Sequence, residues 1–330
     1  MANLRIATFN LENLGRQDPQ GPSLASRVRA LRPMLKRLRA DVLCLQEVNA
    51  DRPAKGQPRR LTALRTLLDD TPYADWPQVC SIGPDGAGPM DVHNLVIVSR
   101  LPIESHRQLW HELVAPPAYQ VQAADPPLPE AAAVRWDRPV LHACLRAPDA
   151  GSLHVVNLHL RAPLAVSLAG QKLGPFSWRS TAAWAEGFFL AAMRRAGQAL
   201  EARLLVDRLF DAEAEPRIVV AGDLNAEAHE VPVRLLIAAE EDSGNGDLAE
   251  RALVAVERSL PKSQRFSVMH HGTPQMLDHI LVSRALMASY RRVELHNEAL
   301  GDELLGYHGI ARSPESFHAP LVAEFALDGG

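Results

Sequence analysis

The most constraining feature of the sequence is the tetrapeptide Gly-Asp-Leu-Asn at residues 222–225, which directly follows an apolar run at residues 217–221. It places a carboxylate and an amide side by side where a strand of buried type ends. Side chains two positions apart share one face of a strand, so Asp223 and Asn225 can address a single ligand if the strand geometry persists. A Gly-Asp-x-Asn sequence is common by chance, and its meaning depends on the rest of the chain.

Five further polar residues stand at or beside the ends of other apolar, strand-like runs. They are Asn10 after residues 5–9, Glu47 after residues 41–46, His159 within residues 154–160, Asp278 in residues 277–283, and His318 just before the last apolar run. Runs of this length and composition are typical of buried strands. We therefore expect one active site, assembled at strand ends from segments spread over the whole chain.

The carboxylate of Glu47 predicts a metal site. An isolated carboxylate at the end of an apolar strand is costly to bury without compensation. A hard divalent cation with oxygen ligands supplies that compensation, and Mg²⁺, which keeps several waters, suits Glu47 together with Asn10 or Glu12. Taken singly, Asn10 is more often a turn former and Glu47 a solvated charge, but their joint occurrence favours the site.

Two pairs of residues are candidates for acting together in a hydrolytic site. His318 oriented by a carboxylate from another strand, for which Asp278 is the best candidate, has the base-and-orienter arrangement of hydrolytic sites. Asn157 and His159 lie two residues apart and share a strand face, although His159 alone could be a core histidine. Arg161 would point to that face if the chain stays extended, and a phosphate contact and a surface role are equally open.

The composition limits the kind of partner. The chain has 330 residues, of which 47% are hydrophobic, and no low-complexity linker divides it. We therefore expect one continuous α/β domain over residues 1–330. The 35 Lys and Arg against 39 Asp and Glu give a formal charge of −4, which argues against gripping long nucleic acid but leaves a local basic groove open.

Cysteine usage and hydropathy predict a cytoplasmic protein. The three cysteines, Cys44, Cys80 and Cys144, are an odd and widely spaced set, so neither a disulfide framework nor a zinc site is indicated. The adjacent pair His270 and His271 also lacks zinc-ligand spacing. We expect no signal peptide, because the polar Asn10 comes too soon for the apolar stretch of one. We expect no transmembrane segment, because no later apolar run reaches 18 residues. No protein partner is indicated.

Two stretches have helical periodicity. Residues 24–38 carry leucines and a valine at spacings of three and four, and Pro33 should kink this helix or begin a second segment. Residues 180–210 carry a stripe that we expect to be core: Trp184, Phe188, Ala191, Ala199, Ala202, Val206 and Leu209. The same helix carries three arginines expected on its solvated face: Arg194, Arg195 and Arg203. The loop at residues 161–178 follows His159 and is expected to line a substrate cleft.

Six short motifs in a fixed order resemble the endonuclease/exonuclease/phosphatase superfamily. They are Thr-Phe-Asn-Leu-Glu at 8–12, Leu-Gln-Glu-Val at 45–48, Asn-Leu-His at 157–159, Gly-Asp-Leu-Asn at 222–225, Leu-Asp-His at 277–279 and Ser-Phe-His-Ala-Pro at 316–320. The resemblance spans residues 4–326. Each motif is weak alone, but six in the order of the superfamily make accident improbable.

The resemblance implies a fold and a set of residue roles. The fold would be a four-layer α/β-β/α sandwich, in which two mixed, mainly antiparallel sheets pack face to face with helices outside. The site would lie at one end of the sandwich. The roles would be Mg²⁺ or Mn²⁺ binding by Glu47 with Asn10 and Glu12 nearby, activation of water by Asp223, contacts to phosphate oxygens by Asn225, Asn157 and His159, and orientation of His318 by Asp278.

The function implied by the resemblance is metal-dependent hydrolysis of a phosphodiester or phosphomonoester by in-line attack of water. Nucleic acid, phospholipid, inositol phosphate and other small phosphodiesters remain open as substrates. One position departs from the superfamily, whose last motif usually reads Ser-Asp-His, because Phe317 replaces the aspartate. The alternative function is therefore a non-catalytic phosphate- or nucleic-acid-binding module that Phe317 has impaired.

Overall fold

The computed structural model describes residues 2–54, 56–147, 151–304 and 313–327. Its strands are β1 (Ala2–Leu14), β2 (Val42–Val48), β3 (Gln78–Cys80), β4 (Asn94–Ser99), β5 (Ile103–Leu109), β6 (Ala118–Tyr119), β7 (Ala132–Ala133), β8 (Val140–Ala147), β9 (Gly151–His159), β10 (Arg217–Asp223), β11 (Val254–Ala255), β12 (Val268–His270), β13 (Thr273–Gln275), β14 (Asp278–Val282), β15 (Tyr290–Leu295) and β16 (Leu321–Leu327). Its α-helices are α1 (Leu24–Leu38), α2 (Thr62–Leu68), α3 (Thr181–Ala212), α4 (Val231–Ile237), α5 (Glu240–Ser243) and α6 (Arg284–Met287).

Two six-stranded sheets form the centre of the fold. The first has the order β15-β16-β1-β2-β4-β3 and the second β11-β14-β10-β9-β8-β5. Each sheet contains one parallel pair, β1 with β2 and β9 with β10, and its other pairs are antiparallel. The expected mixed, mainly antiparallel sheets are confirmed.

Alternation along the central strands creates the layers. On β1, Leu4 and Ile6 point into the core between the two sheets, whereas Ala7 and Phe9 point to the outer face covered by α1 and α2. Apolar side chains of α3 and α4 cover the outer face of the second sheet in the same way. Because both faces of the central strands are buried, their sequences have near-continuous apolar runs rather than a strict alternation of apolar and polar residues.

The helices differ from expectation in two places. Helix α1 continues through Pro33 as one element, with Ser23 as its N-cap, so no second segment begins there. On α3 the predicted core stripe holds from Ala191 onwards, but Trp184 and Phe188 are exposed. None of the described helices is long and apolar enough to cross a bilayer.

Two of the arginines assigned to a solvated face of α3 are buried instead. Arg195 donates to the backbone oxygen of Asn225 at 2.5 Å, and Arg203 donates to the backbone oxygen of Leu236 at 3.1 Å. A long guanidinium can satisfy several carbonyls at once, so it crosses the interface between α3 and the loops beside it without an unpaired charge.

Candidate active site

Neighbouring strands of the second sheet bring three of the predicted site residues to one level. In the strand register, Asp223 is the direct partner of His159 on one side and of Asp278 on the other. All three side chains are buried. Residues far apart in sequence therefore meet at one end of the sandwich, as the strand-end pattern predicts.

Asn10 joins this cluster to the other sheet. Its Nδ2 donates to Glu47 Oε1 at 3.1 Å and to Asp223 Oδ2 at 2.9 Å, while its Oδ1 accepts the backbone N–H of Glu12 at 2.8 Å. The amide thus bridges two carboxylates that would otherwise repel each other. Asn10 therefore positions both carboxylates, and because its oxygen has a second lone pair, its expected role as a metal ligand stays a prediction.

Irregular backbone aims these carboxylates. Glu12, Asn13, Glu47 and Asn225 have φ between +46° and +57°, the left-handed region that costs a non-glycine residue about 1 kcal/mol. The registers of β1 and β2 shift at these points. The backbone N–H of Asn13 then donates to Glu47 Oε2, and that of Asn225 donates to Asp223 Oδ1, both at 2.9 Å. The left-handed residues Asn13 and Asn225 therefore supply backbone hydrogen-bond donors at the carboxylates.

Gly222 explains the first letter of the tetrapeptide. Its φ is +149°, and a Cβ at this position would lie 1.9 Å from the carbonyl oxygen of Leu158 on β9. Only glycine allows β10 to approach β9 this closely. The glycine therefore sets the separation at which Asp223 and His159 meet.

The geometry fits a divalent cation. Glu47, His159 and Asp223 each present one ligand atom, as do Asp223, Asp278 and His318, and within each trio these atoms lie within 4.8 Å of one another. Carboxylate oxygens predominate, which is the donor set that Mg²⁺ and Mn²⁺ prefer. In the described part of the chain, Glu12 joins neither trio. Its Oε2 accepts the backbone N–H of Phe317 at 2.8 Å, and its expected role near the metal stays a prediction.

His318 forms a buried pair with Asp278. Its Nδ1 donates to Asp278 Oδ2 at 2.8 Å, and Ser316 fixes the turn by donating to the backbone oxygen of Asn10 at 2.8 Å. Burial alone would lower the pKa of His318, but the charges of Asp278 and Asp223 raise it well above its usual range. The raised pKa favours the imidazolium form of His318, whose Nε2 lies 4.0 Å from Asp223 Oδ2. An imidazolium offers no lone pair to a metal, which favours Glu47, His159 and Asp223 over the other trio as the cation site.

Asp223 is an unusual carboxylate because it is buried at the centre of the cluster. Burial raises its pKa to about 7, against the opposing influence of His318 and of the hydrogen bonds from Asn225 and Asn10. Asn225 Nδ2 lies 3.1 Å from Asp223 Oδ2 and also donates to the backbone oxygen of Leu160. A carboxylate with a pKa near neutrality is suited to accept a proton in neutral solution.

The remaining imidazole of the cluster is neutral. Burial, together with the nearby cation Arg138, lowers the pKa of His159 well below its usual value. Its Nε2 lies 3.6 Å from Glu47 Oε1 and 3.5 Å from Asp223 Oδ2. A neutral ring between two carboxylates adds no charge, and it can hydrogen-bond to a ligand oxygen.

Sequence reasoning missed two residues of the site, His93 and Arg138. Arg138 Nη2 lies 2.8 Å from His93 Nδ1, and Nη1 lies 3.4 Å from the backbone oxygen of His159. Burial lowers the pKa of Arg138, while Glu47 and Asp223 oppose that shift. A signal was present: each residue stands just before an apolar run, and antiparallel strands begin at the end where their neighbours finish.

Asn157 does not reach the site, which corrects its predicted role at phosphate oxygens. It is fully buried between the sheets, where its Nδ2 donates to the backbone oxygens of Leu45 and Val96 at 3.1 and 3.0 Å. Its Oδ1 accepts from Gln46 Nε2 at 2.7 Å. Asn157 and His159 point to the same face of β9, but Asn157 lies two residues further from the end of the strand. Its hydrogen bonds therefore hold the two sheets together.

Two further residues weighed in the sequence, Arg161 and His270, form ion pairs with carboxylates outside the predicted site set. Arg161 Nη1 contacts Asp137 Oδ2 at 2.6 Å, and Asp137 also accepts from Arg194 of α3. His270 contacts Glu303 at 3.1 Å and belongs to no group of three metal-ligand side chains among the residues described.

Comparison with known proteins decides the family. The model of the Endonuclease/Exonuclease/phosphatase family matches residues 7–300. The chain belongs to this family. None of the curated proteins matches the sequence.

Solved structures of distant relatives share the fold of this family member. A family protein from Bacteroides thetaiotaomicron is 16% identical, with a TM-score of 0.60 over 99% of this chain and 96% of that one. The mannosyl-6-phosphatase Bt3783 from Bacteroides thetaiotaomicron is 15% identical, with a TM-score of 0.60 over 98% and 100% of the two chains. The 3′ phosphatase NExo from Neisseria, bound to a product DNA hairpin, is 17% identical, with a TM-score of 0.55 over 98% and 100%.

Proposed function

We propose that this family member hydrolyses a phosphate ester with the help of Mg²⁺ or Mn²⁺, by in-line attack of water on a phosphodiester or phosphomonoester. The observation that carries the proposal is the meeting of Glu47, Asp223 and the His318–Asp278 pair at one end of the sandwich. Relatives of the same fold that act on sugar phosphate and on DNA support the reaction class and leave the substrate open.

Asp223 is the proposed base. Its carboxylate is held by Asn10 and Asn225, and burial has raised its pKa to about 7. A base of this strength is about half ionised near neutral pH, and the ionised form can remove a proton from the attacking water. The hydrogen bonds also fix its direction, which matters because in-line attack requires the water to lie opposite the leaving group.

Two positive groups complete the proposed site. The imidazolium of His318 and the guanidinium of Arg138 flank the carboxylates and would bind the phosphate oxygens. Asn225 and the neutral ring of His159 would add hydrogen bonds to the same oxygens. Glu47, with Asn10 and Glu12 nearby, would hold the cation, which would supply further neutralisation of charge on the phosphate as the bond breaks.

The test is turnover of a chromogenic phosphodiester and a chromogenic monoester with Mg²⁺, with Mn²⁺ and with EDTA. Asp223→Asn and His318→Ala should each lower kcat by about 10²-fold or more, because each removes one preorganised group. His106→Ala, at an exposed position on β5, serves as the control and should retain full activity. Equal turnover with EDTA and with metal would refute the proposal.

The non-catalytic alternative rests on Phe317. The side chain is buried and its backbone N–H binds Glu12, so a carboxylate already stands beside the position where the family motif has aspartate. We therefore expect Phe317→Asp to give no gain in metal-dependent turnover. A large gain would show that the natural chain is impaired and would favour the binding module.

A further inference from the structure

One surface of the protein is apolar and unexplained by the site. It is formed by the loop after β9 and the first turns of α3, and we call it the aromatic surface; its exposed residues are Leu164, Leu173, Phe176, Trp184, Phe188 and Phe189. The exposed phenylalanines and tryptophans of the described residues all lie in this surface. Phe176 is 91% exposed, Leu173 67% and Leu164 65%, so these side chains protrude into solvent. Exposed apolar groups concentrated in one loop and the helix that follows it are typical of interaction sites.

The aromatic surface is held in a defined shape. The rings of Trp184 and Phe188, one helical turn apart on α3, stack at 5.5 Å. The loop packs tightly on the helix, because Val166 N donates to the backbone oxygen of Gly187 and a Cβ on Gly187 would lie 2.4 Å from the oxygen of Val166. The exposed rings are therefore presented by a closely packed loop and helix rather than by a free segment.

Few charges accompany these side chains, and two of the three are positive. Residues 162–193 contain three charged side chains: Lys172, Arg179 and Glu186. The Glu186 carboxylate turns inward and accepts hydrogen bonds from Tyr119 and from two backbone N–H groups of the neighbouring loop. Lys172 lies 4.3 Å over the ring of Trp178, and Arg179 is exposed. An apolar surface with two cations thus stands on a chain whose formal charge is −4.

We propose that the aromatic surface docks this protein on an anionic phospholipid bilayer. A protruding ring such as Phe176 enters a fluid acyl phase without needing a complementary pocket, and tryptophan and phenylalanine favour the bilayer interface. Lys172 and Arg179 complement anionic headgroups at its edge. Nucleic acid fits less well, because its binding relies on neutralising many phosphates, and this surface offers two cations.

The aromatic surface adjoins the catalytic end of the sandwich. Its loop follows His159 directly, and Arg194 of α3 shares Asp137 with Arg161, next to Arg138. Phe188 lies six residues from Arg194, about 9 Å along the helix. Docking would bring headgroup phosphates towards the site, so the substrate would be a phosphodiester of a lipid headgroup; this step rests on the proposed hydrolase function.

The test is sedimentation of the full chain with vesicles of phosphatidylcholine and with vesicles of equal parts phosphatidylcholine and phosphatidylglycerol. The protein should bind the anionic vesicles more tightly. Phe176→Ser and Trp184→Ser should each weaken that binding about tenfold, because each removes a large apolar group from the contact. Leu248→Ser, at an exposed apolar position outside the aromatic surface, should leave binding unchanged.

The outcomes separate docking from catalysis. Absence of sedimentation with either vesicle would overturn the docking proposal. Light scattering could instead show a dimer that Trp184→Ser dissociates, in a protein that does not bind vesicles. That result would assign the aromatic surface to a second copy of the chain and would also overturn the docking proposal. Vesicle binding without hydrolysis of the lipid, in a protein that still cleaves a soluble phosphodiester, would remove only the lipid substrate. Vesicle binding by a protein that does not cleave the soluble phosphodiester would count against the proposed hydrolase function and not against docking.

Discussion

Arg138 donates a hydrogen bond to a neutral histidine, because its Nη2 lies 2.8 Å from His93 Nδ1. A guanidinium has no acceptor, so His93 Nδ1 must be unprotonated and its Nε2 carries the hydrogen. That Nε2 lies 3.0 Å from Asn13 Oδ1. Burial lowers the pKa of His93, in agreement with a neutral ring. The hydrogen bonds that link Asn13, His93 and Arg138 therefore fix the guanidinium of Arg138 beside Glu47 and Asp223.

Replacement of this arginine should reduce catalysis. We expect Arg138→Gln to lower kcat/KM for a phosphodiester by about 10²-fold, because the variant loses a positive charge at the phosphate. Arg146→Gln, in an exposed ion pair with Glu104, should change kcat/KM little. Steady-state kinetics of the two variants decide the matter, and equal activities would remove Arg138 from the site.

The pH profile should report the His318–Asp278 pair. The carboxylate of Asp278 holds the pKa of His318 above its usual value, so activity that needs the imidazolium is lost as pH rises through that raised pKa. Asp278→Asn removes the negative charge and lowers the pKa of His318. The alkaline limb of kcat/KM should therefore move to lower pH. An unchanged alkaline limb would contradict this assignment, and Asp242→Asn, in an exposed pair with Arg234, is the matched control.

Substitution of Asn157 should affect stability rather than catalysis. Asn157→Leu leaves the backbone oxygens of Leu45 and Val96 without a donor inside the core. We expect the free energy of unfolding to fall by about 2–4 kcal/mol, with kcat per folded molecule unchanged. Asn225→Leu should give the opposite pattern, since Asn225 lies beside Asp223. Urea unfolding and kinetics on both proteins distinguish a structural amide from one that binds substrate.

Strand ends were predictable from sequence because burial on both faces leaves a clear apolar run before each polar residue. The run at residues 217–221 and the polar residues after it predict both β10 and the position of Asp223. The second of the two predicted helices, expected over residues 180–210, is α3, which spans Thr181–Ala212. Local patterns of this kind depend on spacing alone, and the fold follows them.

Features that depend on tertiary distances were not predictable. The left-handed residues Glu12 and Glu47 carry no glycine signal, because hydrogen bonds and packing around them impose the conformation. The face shared by Asn157 and His159 was correct, but periodicity does not show depth within the sandwich. Trp184 and Phe188 fit a buried stripe by spacing, and only the fold reveals that no element of the described chain covers them.

A buried histidine outside the site should make stability depend on pH. His142 Nε2 lies 3.1 Å from His154 Nδ1, and His154 Nε2 lies 2.8 Å from Glu213. Burial, followed by the charges of His154 and Arg107, lowers the pKa of His142 to about 3. The folded protein therefore keeps this ring neutral while the unfolded chain, with an ordinary pKa of about 6.5, takes up a proton.

Stability should consequently fall as pH decreases from about 6.5 towards 3, by up to about 1.4 kcal/mol per pH unit from His142, because the unfolded state binds the extra proton in this range. Urea unfolding at pH 7 and pH 5 should show a loss that His142→Phe reduces by about 2 kcal/mol. His106→Phe, at an exposed histidine on the neighbouring strand β5, controls for the general effect of the substitution. If His142→Phe and the natural chain lose the same stability between the two pH values, the folded protein does not keep His142 neutral.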